Sequence, residues 1–194
     1  MFAQKTFRAG ILAGINGSQV HGDSYSGFNA AGPVGGLFIS TNPEKTLYFQ
    51  LELQYSMKGS RKNINPEKGD YDFFQLRMNY IEVPLLMKYN YRNVFFTLGA
   101  SYGTLFKVRE WDDYGEITPR DFKKWELALV TGIGYNISET WRVDFRYTNS
   151  LIPIKNFIVP AYYPNPILNI FNRGMYNNVL GLTLCYTFPV KTTE

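Results

Sequence analysis

The closing stretch NNVLGLTLCYTF, Asn177 to Phe188, alternates without a break between a bulky apolar row and a small row. Leu180, Leu182, Leu184, Tyr186 and Phe188 fall on one face, and Val179, Gly181, Thr183, Cys185 and Thr187 fall on the other. A period of two over this length is a β-strand. Apolar on one face and ending on an aromatic, it is the kind of strand that closes a transmembrane β-barrel.

Working outward, seven further segments carry the same period. Strand one runs from Thr6 to Asn16, with Phe7, Ala9, Ile11, Ala13 and Ile15 opposite Arg8, Gly10, Leu12 and Gly14. Strand two ends near Ser40, and its Gly35-Gly36 pair obscures which residues share a face. Strand three, Leu47 to Lys58, sets Leu47, Phe49, Leu51, Leu53, Tyr55 and Met57 against Tyr48, Gln50, Glu52, Gln54, Ser56 and Lys58. Strand four, Arg77 to Tyr89, sets Ile81, Val83, Leu85 and Met87 against Glu82, Pro84, Leu86 and Lys88. Strands five (Val94 to Phe106), six (Lys124 to Ile137) and seven (from Trp141 through Thr148) follow the same rule.

The connections alternate between long and short. Short turns follow strands two, four and six, marked by Asn42-Pro43-Glu44-Lys45, Asn90 to Asn93 and Ser138-Glu139-Thr140. Long polar or Pro-rich segments follow strands one, three, five and seven. This is the sequence signature of an outer-membrane barrel with short periplasmic turns and long extracellular loops, and the even strand number puts both termini on the periplasmic side. The fold expected is therefore all-β, an eight-stranded antiparallel up-and-down transmembrane barrel over residues 6–188, with tails at 1–5 and 189–194.

Volume decides which row faces inward. The interior of an eight-stranded barrel is just wide enough to be filled by side chains, and eight rows of Leu, Phe, Tyr and Trp overfill it. The bulky rows must face lipid, including Leu180, Leu182, Leu184, Tyr186 and Phe188 of the last strand. Gly, Ala, Thr and Ser, with a few long charged residues, are left for the lumen. Phe7, Tyr89, Trp141 and Phe188 gather at the short-turn rim, as interfacial aromatics do.

Composition agrees and excludes other classes. Among 194 residues, 17% are aromatic and 17 are Gly, which favours sheet. No apolar run approaches the roughly 18 residues of a membrane helix. The net charge of +4 is spread along the chain, which argues against nucleic acid. A single cysteine, Cys185, leaves no disulfide, redox pair or zinc set. Phe2-Ala3 before Gln4 reads as the tail of a cleaved signal peptide, so export is expected.

The inward rows carry Arg8, Glu52, Lys58, Glu82, Lys88, Glu126, Arg142, Asp144 and Arg146. Both signs are nearly balanced, so a paired network plugging the lumen is expected, because buried charges persist only when paired. A conducting or proton-handling lumen, that of a narrow pore, is the other reading of the same residues. His21, the one histidine, stands near Ser18, Asp23 and Ser24, and a lipid-modifying enzyme would have to be built around it. Asp112, Asp113 and Glu116 lack the ladder of a calcium loop and read as a solvated tip. No metal and no cofactor is expected. The last long segment is too apolar for a free loop: Ile152, Ile154, Phe157, Ile158, Tyr162, Tyr163, Ile170 and Phe171 must fold over the mouth or contact a partner.

Two stretches resemble a known family. LELQYSMKGSR (Leu51 to Arg61) and YIEVPLLMKY (Tyr80 to Tyr89) are similar to the PorT-like bacterial outer-membrane β-barrels, in which a strand leading to a Lys-Gly pair precedes a Tyr-[Ile/Leu]-Glu-[Ile/Val]-Pro-Leu strand. GPVGGLF (Gly32 to Phe38) and Leu184 to Phe188 look similar too. The resemblance implies a Gram-negative envelope protein, and the family's namesake belongs to a protein secretion system. No catalytic motif comes with it. Partners expected are outer-membrane lipid or lipopolysaccharide, the barrel-assembly machinery that reads the closing strand, and a larger envelope complex. Pro84 removes a ladder donor from an inner strand, and a local bulge there is expected.

Overall fold

A computed structural model describes residues 7–23, 27–62, 67, 73–117, 121–156 and 174–189. Eight long strands form a closed antiparallel ring: β1 (Arg8–His21), β2 (Ala30–Ser40), β3 (Leu47–Lys62), β4 (Phe74–Tyr91), β5 (Val94–Asp112), β7 (Trp125–Asn136), β8 (Trp141–Ser150) and β10 (Gly174–Thr187). Two short strands are additions at the long-loop end, β6 (Gly115–Ile117) on β5 and β9 (Lys155–Asn156) on β10. Each long strand pairs with its sequence neighbour, and β1 closes the ring on β10 from Gly10↔Thr187 to His21↔Tyr176. Closure leaves no free edge along the body of the barrel.

The strands reach further than their alternation predicts at the long-loop end. β1 continues five residues past Asn16, β3 continues to Lys62, and β5 runs 19 residues to Asp112. Polar side chains outside an apolar belt do not weaken a ladder whose backbone groups are all paired. The paired backbone therefore outlasts the hydrophobic signal that reveals it.

Alternation holds through Gly35-Gly36 in β2. Gly32, Val34, Phe38 and Ser40 point in and are buried; Leu37 and Ile39 point out and are exposed. Pro84 departs from expectation, because its register carries no bulge. Leu51↔Leu85 and Gln54↔Glu82 are in the same register, and the pairs between them are simply skipped on the β3 side. Pro84 itself stays in register opposite Ser101 of β5. Skipping those pairs accommodates the missing N–H, while the one register shift of this ladder sits at Asn79/Tyr80.

The interior is also bulkier than small residues plus charges. Phe38, Tyr48, Tyr80, Leu86 and Phe95 are fully buried inside it. Facing glycines make the room. A Cβ on Gly10 would lie 2.3 Å from the Phe38 ring, and one on Gly134 would lie 2.1 Å from the Phe95 ring. Each of these two rings thus lies over the glycine paired with it on the neighbouring strand, which keeps the total volume within what eight strands enclose.

Candidate functional site

The lumen is stacked in layers from the short-turn rim to the long-loop rim. At the short-turn mouth an open recess of about 620 Å³ is lined by Arg8, Glu44, Asn93, Asn136, Thr140, Arg142 and Thr187 among others. Arg8 stays at this rim, where Nη2 contacts exposed Glu44 at 3.1 Å. It is therefore separate from the interior network in which parity placed it, because the strand end leaves it 24% exposed and within reach of the β2–β3 turn.

Above the recess lies a first polar layer. Arg146 donates from Nη1 and Nη2 to both oxygens of Glu52 at 2.7 Å, and from Nε and Nη2 to Asp144 Oδ2 at 2.9 and 2.8 Å. Lys88 Nζ donates to the same Asp144 oxygen at 2.6 Å and sits 4.4 Å above the Phe95 ring. Arg142 is held by neutral groups, donating to Tyr48 Oη at 2.8 Å and Gln50 Oε1 at 3.2 Å, with its guanidinium over Phe38. Bidentate and charge-assisted bonds of this kind are the strong ones.

A second polar layer lies nearer the long loops. Lys58 Nζ contacts Glu82 Oε1 at 2.5 Å and Glu126 Oε2 at 3.2 Å. Gln54 donates to Glu82, while Ser150 and Asn177 donate to Glu126 at 2.6 and 3.0 Å. Between the two layers lies a gap of about 30 Å³, with Arg146 on one side and Lys58 and Glu82 on the other. The layers are charged oppositely: three cations face two carboxylates below, and one cation faces two carboxylates above. In sum the eight buried charges cancel.

An apolar cap closes the top. Val20, Leu76, Met78, Tyr80, Leu105 and Ile154 form one buried cluster, with Phe74, Val108, Phe122 and Met175 packed against it. Ile154, at the start of the last long segment, is tied in by Ile154 N to Met175 O and Lys123 N to Ile154 O, both 2.8 Å. So the beginning of that segment folds into the mouth. Phe157, Ile158, Tyr162, Tyr163, Ile170 and Phe171 lie outside the described residues.

Tyr48, Gln50, Gln54, Ser150, Asn177 and Tyr80 join the charged residues, and sequence reading passed over their part. Parity was the available signal, since each sits an even number of residues from a charged lumen position on its own strand or from Val179. On the outer face Leu182, Leu184 and Phe188 are exposed, and Leu180 and Tyr186 half-buried. Tyr186 packs tilted against Trp141 at 4.8 Å and edge-to-face against Phe188 at 5.8 Å, and Phe188 N donates to Ala9 O. Cys185 is buried with Leu12, Val34 and Phe38.

The other candidate sites do not come together. Ser18 points inward, accepting from Gly59 N and donating to Ala30 O, whereas His21 is exposed on the opposite face of β1. Ser24 lies outside the described residues. Asp112 accepts from the backbone N of Tyr114 within its own turn, Asp113 accepts from the backbone N of Phe73 at the start of the β4 region, and Glu116 lies 4.0 Å from Arg109. Among the described residues no group of carboxylates, His and Cys is arranged to hold a metal.

Residues 2–156 match the family model described as the outer membrane protein beta-barrel domain. The chain belongs to that family. This outer-membrane barrel is similar in fold to Ail, the attachment invasion locus protein of Yersinia pestis, with a TM-score of 0.54 at 15% identity over 93% of this chain and 98% of that one. A second Ail structure, in complex with the heparin analogue sucrose octasulfate, gives 0.52 at 14% identity over 94% and 99%. Neisserial surface protein A gives 0.56 at 14% identity over 93% and 97%. No curated protein matches the chain. At these identities the likeness is one of fold, and the ring of eight up-and-down strands is what the three share with it.

Proposed function

We propose that this outer-membrane barrel is a non-enzymatic, PorT-like accessory protein of the cell envelope, displaying its long loops outside the cell to contact a partner complex. Both chain ends lie in the periplasm on this reading, and the protein reaches the membrane through a cleaved signal peptide and the barrel-assembly machinery. The observation that carries it is the filled lumen: two ion-paired layers separated by about 30 Å³, under an apolar cap that includes Ile154. A barrel so plugged has only its loops and its outer surface left with which to act. The PorT likeness of Leu51 to Arg61 and Tyr80 to Tyr89 favours an envelope complex, with a part in secretion as its narrower form.

The lipid-modifying alternative is disfavoured by Ser18 and His21 facing opposite sides of β1. A pull-down from native membranes, paired with planar-bilayer recording, tests the proposal. A stoichiometric envelope partner and the absence of conductance steps are expected. Stable conductance steps, or loss of an esterase activity in His21→Ala, would overturn it.

A further inference from the structure

The upper parts of β3, β4 and β5 carry charges on the outer face that the lumen does not use. Arg61, Arg77, Lys107 and Arg109 are all exposed there. The register sets them side by side: Arg61↔Gln75 and Gly59↔Arg77 across β3 and β4, then Arg77↔Arg109 and Asn79↔Lys107 across β4 and β5. Like charges directly opposite each other destabilise a sheet. Arg109 meets Glu116 at 4.0 Å, a long contact to a side chain more than half exposed.

Their height is marked by what lies below. The outward row of β4 descends from Arg77 through Ile81, Val83, Leu85 and Met87 to Tyr89 at the short-turn rim. At about 3.3 Å per residue and a tilt of some 40°, the strand climbs about 30 Å between Tyr89 and Arg77, just above an apolar band of about 25 Å. Directly beneath the cations Tyr55 and Phe106 pair at 6.2 Å, and Tyr55 Oη donates to Asn79 Oδ1 at 2.6 Å. That is an interfacial aromatic, with its ring in the belt and its hydroxyl above it. Trp111 lies above, with the Arg77 guanidinium 5.7 Å from its ring. Gln75, its amide oxygen turned toward Arg77, accepts from Nε and Nη2 at 2.8 and 2.9 Å. These contacts hold Arg77 in place while leaving other guanidinium N–H groups for a ligand.

We propose that Arg61, Arg77, Lys107 and Arg109 form a binding site for the phosphate groups of a phosphorylated glycolipid in the outer leaflet. The patch faces sideways, continuous with the lipid-facing belt. An acyl-anchored headgroup therefore reaches it without leaving the membrane, whereas a soluble acidic partner would meet it only from the flank. Two guanidinium groups across one strand pair present donors that match phosphate oxygens, and the phosphate supplies the counter-charge that the sheet lacks. The inference rests on the long loops being extracellular.

The test uses the full chain refolded into phosphatidylcholine nanodiscs that contain either bis-phosphorylated lipid A or the same lipid with both phosphates removed. After extraction, native mass spectrometry counts the lipid retained per barrel. Retention of the phosphorylated form at least ten-fold above the dephosphorylated one is expected. It should be lost in the Arg77→Gln/Arg109→Gln double variant and kept in Lys45→Gln/Arg92→Gln at the opposite rim. A heat-modifiable gel shift confirms that each variant is folded. Equal retention of both lipids, retention unchanged in the double variant, or capture of poly-glutamate by the patch in place of lipid A would each overturn the proposal. Protease added to intact cells cuts the long connections only if they are extracellular, so a reversed orientation and an empty patch give different results.

Discussion

The same strands carry charge on both faces, and the two sets are arranged by opposite rules. Inside, Glu52, Lys58, Glu82, Lys88, Glu126, Asp144 and Arg146 each meet an opposite charge within 3.3 Å. Outside, Arg77 and Arg109 are placed directly across from one another, and exposed Glu116 reaches only Arg109, at 4.0 Å. Buried ions must be neutralised within the protein, because removing one partner leaves a charge in low dielectric. Exposed ions at a membrane interface need no internal partner, since headgroups can supply one. Close internal contact, with a carboxylate or, for Arg142, with neutral acceptors, is therefore the mark of a structural charge in this barrel, and loose, exposed pairing the mark of a charge facing a ligand.

The strongest way to break this contrast is Asp144→Ala, which strands Lys88 and takes from Arg146 one of its two carboxylates, leaving it Glu52. A loss of about 3–5 kcal/mol is expected, measured by urea unfolding in bilayers with a gel-shift readout. A loss below 1 kcal/mol would show that the lower layer is not an ion-paired core. Next comes Gly134→Val, whose side chain collides with the Phe95 ring. Overpacking of this kind costs about 1–3 kcal/mol, and pairing it with Phe95→Leu should restore most of the loss. If the second change brings no recovery, the ring-over-glycine fit is not what limits the interior.

Glu126→Gln keeps the shape of the upper layer but removes the charge that Lys58, Ser150 and Asn177 address. A smaller loss, about 1–3 kcal/mol, is expected. Planar-bilayer recording should stay silent, as it should for Glu52→Gln and Glu82→Gln; conductance steps in any of the three would mean that charge rather than packing closes the lumen. The smallest effect belongs to the outer face. In pure phosphatidylcholine, Arg77→Gln should leave stability within about 0.5 kcal/mol of the parent or raise it slightly, because it relieves a like-charge pair. A clear destabilisation there would make Arg77 a structural charge and erase the distinction between the faces.

Much of this arrangement was legible in the residues themselves. Alternation between Leu47 and Lys58, and again between Asn177 and Phe188, specifies strand and face together because the side-chain period of a strand is two. The limited volume of eight strands then decides which row must turn outward. Parity alone selects Glu52, Glu82, Glu126 and Asp144 for the lumen. It also places Arg8 there, since it cannot see that a strand end opens to the rim and to Glu44.

Other features belong to the closed ring only. Lys58 and Glu126 are 68 positions apart, and Arg146 and Glu52 are 94 apart. Which cation meets which carboxylate is set by stagger across the lumen, a distance that no local pattern records. The match of Phe38 to Gly10 and of Phe95 to Gly134 and the skipped pairs beside Pro84 depend instead on the register between neighbouring strands, which alternation along one strand does not record. So does the outer patch, where Arg77 and Arg109 become neighbours through the register of β4 on β5 and its shift at Asn79/Tyr80. Local periodicity dictated the strands and their faces, because both follow from backbone geometry; the partners were decided by closure, because only a closed barrel brings distant rows to one height.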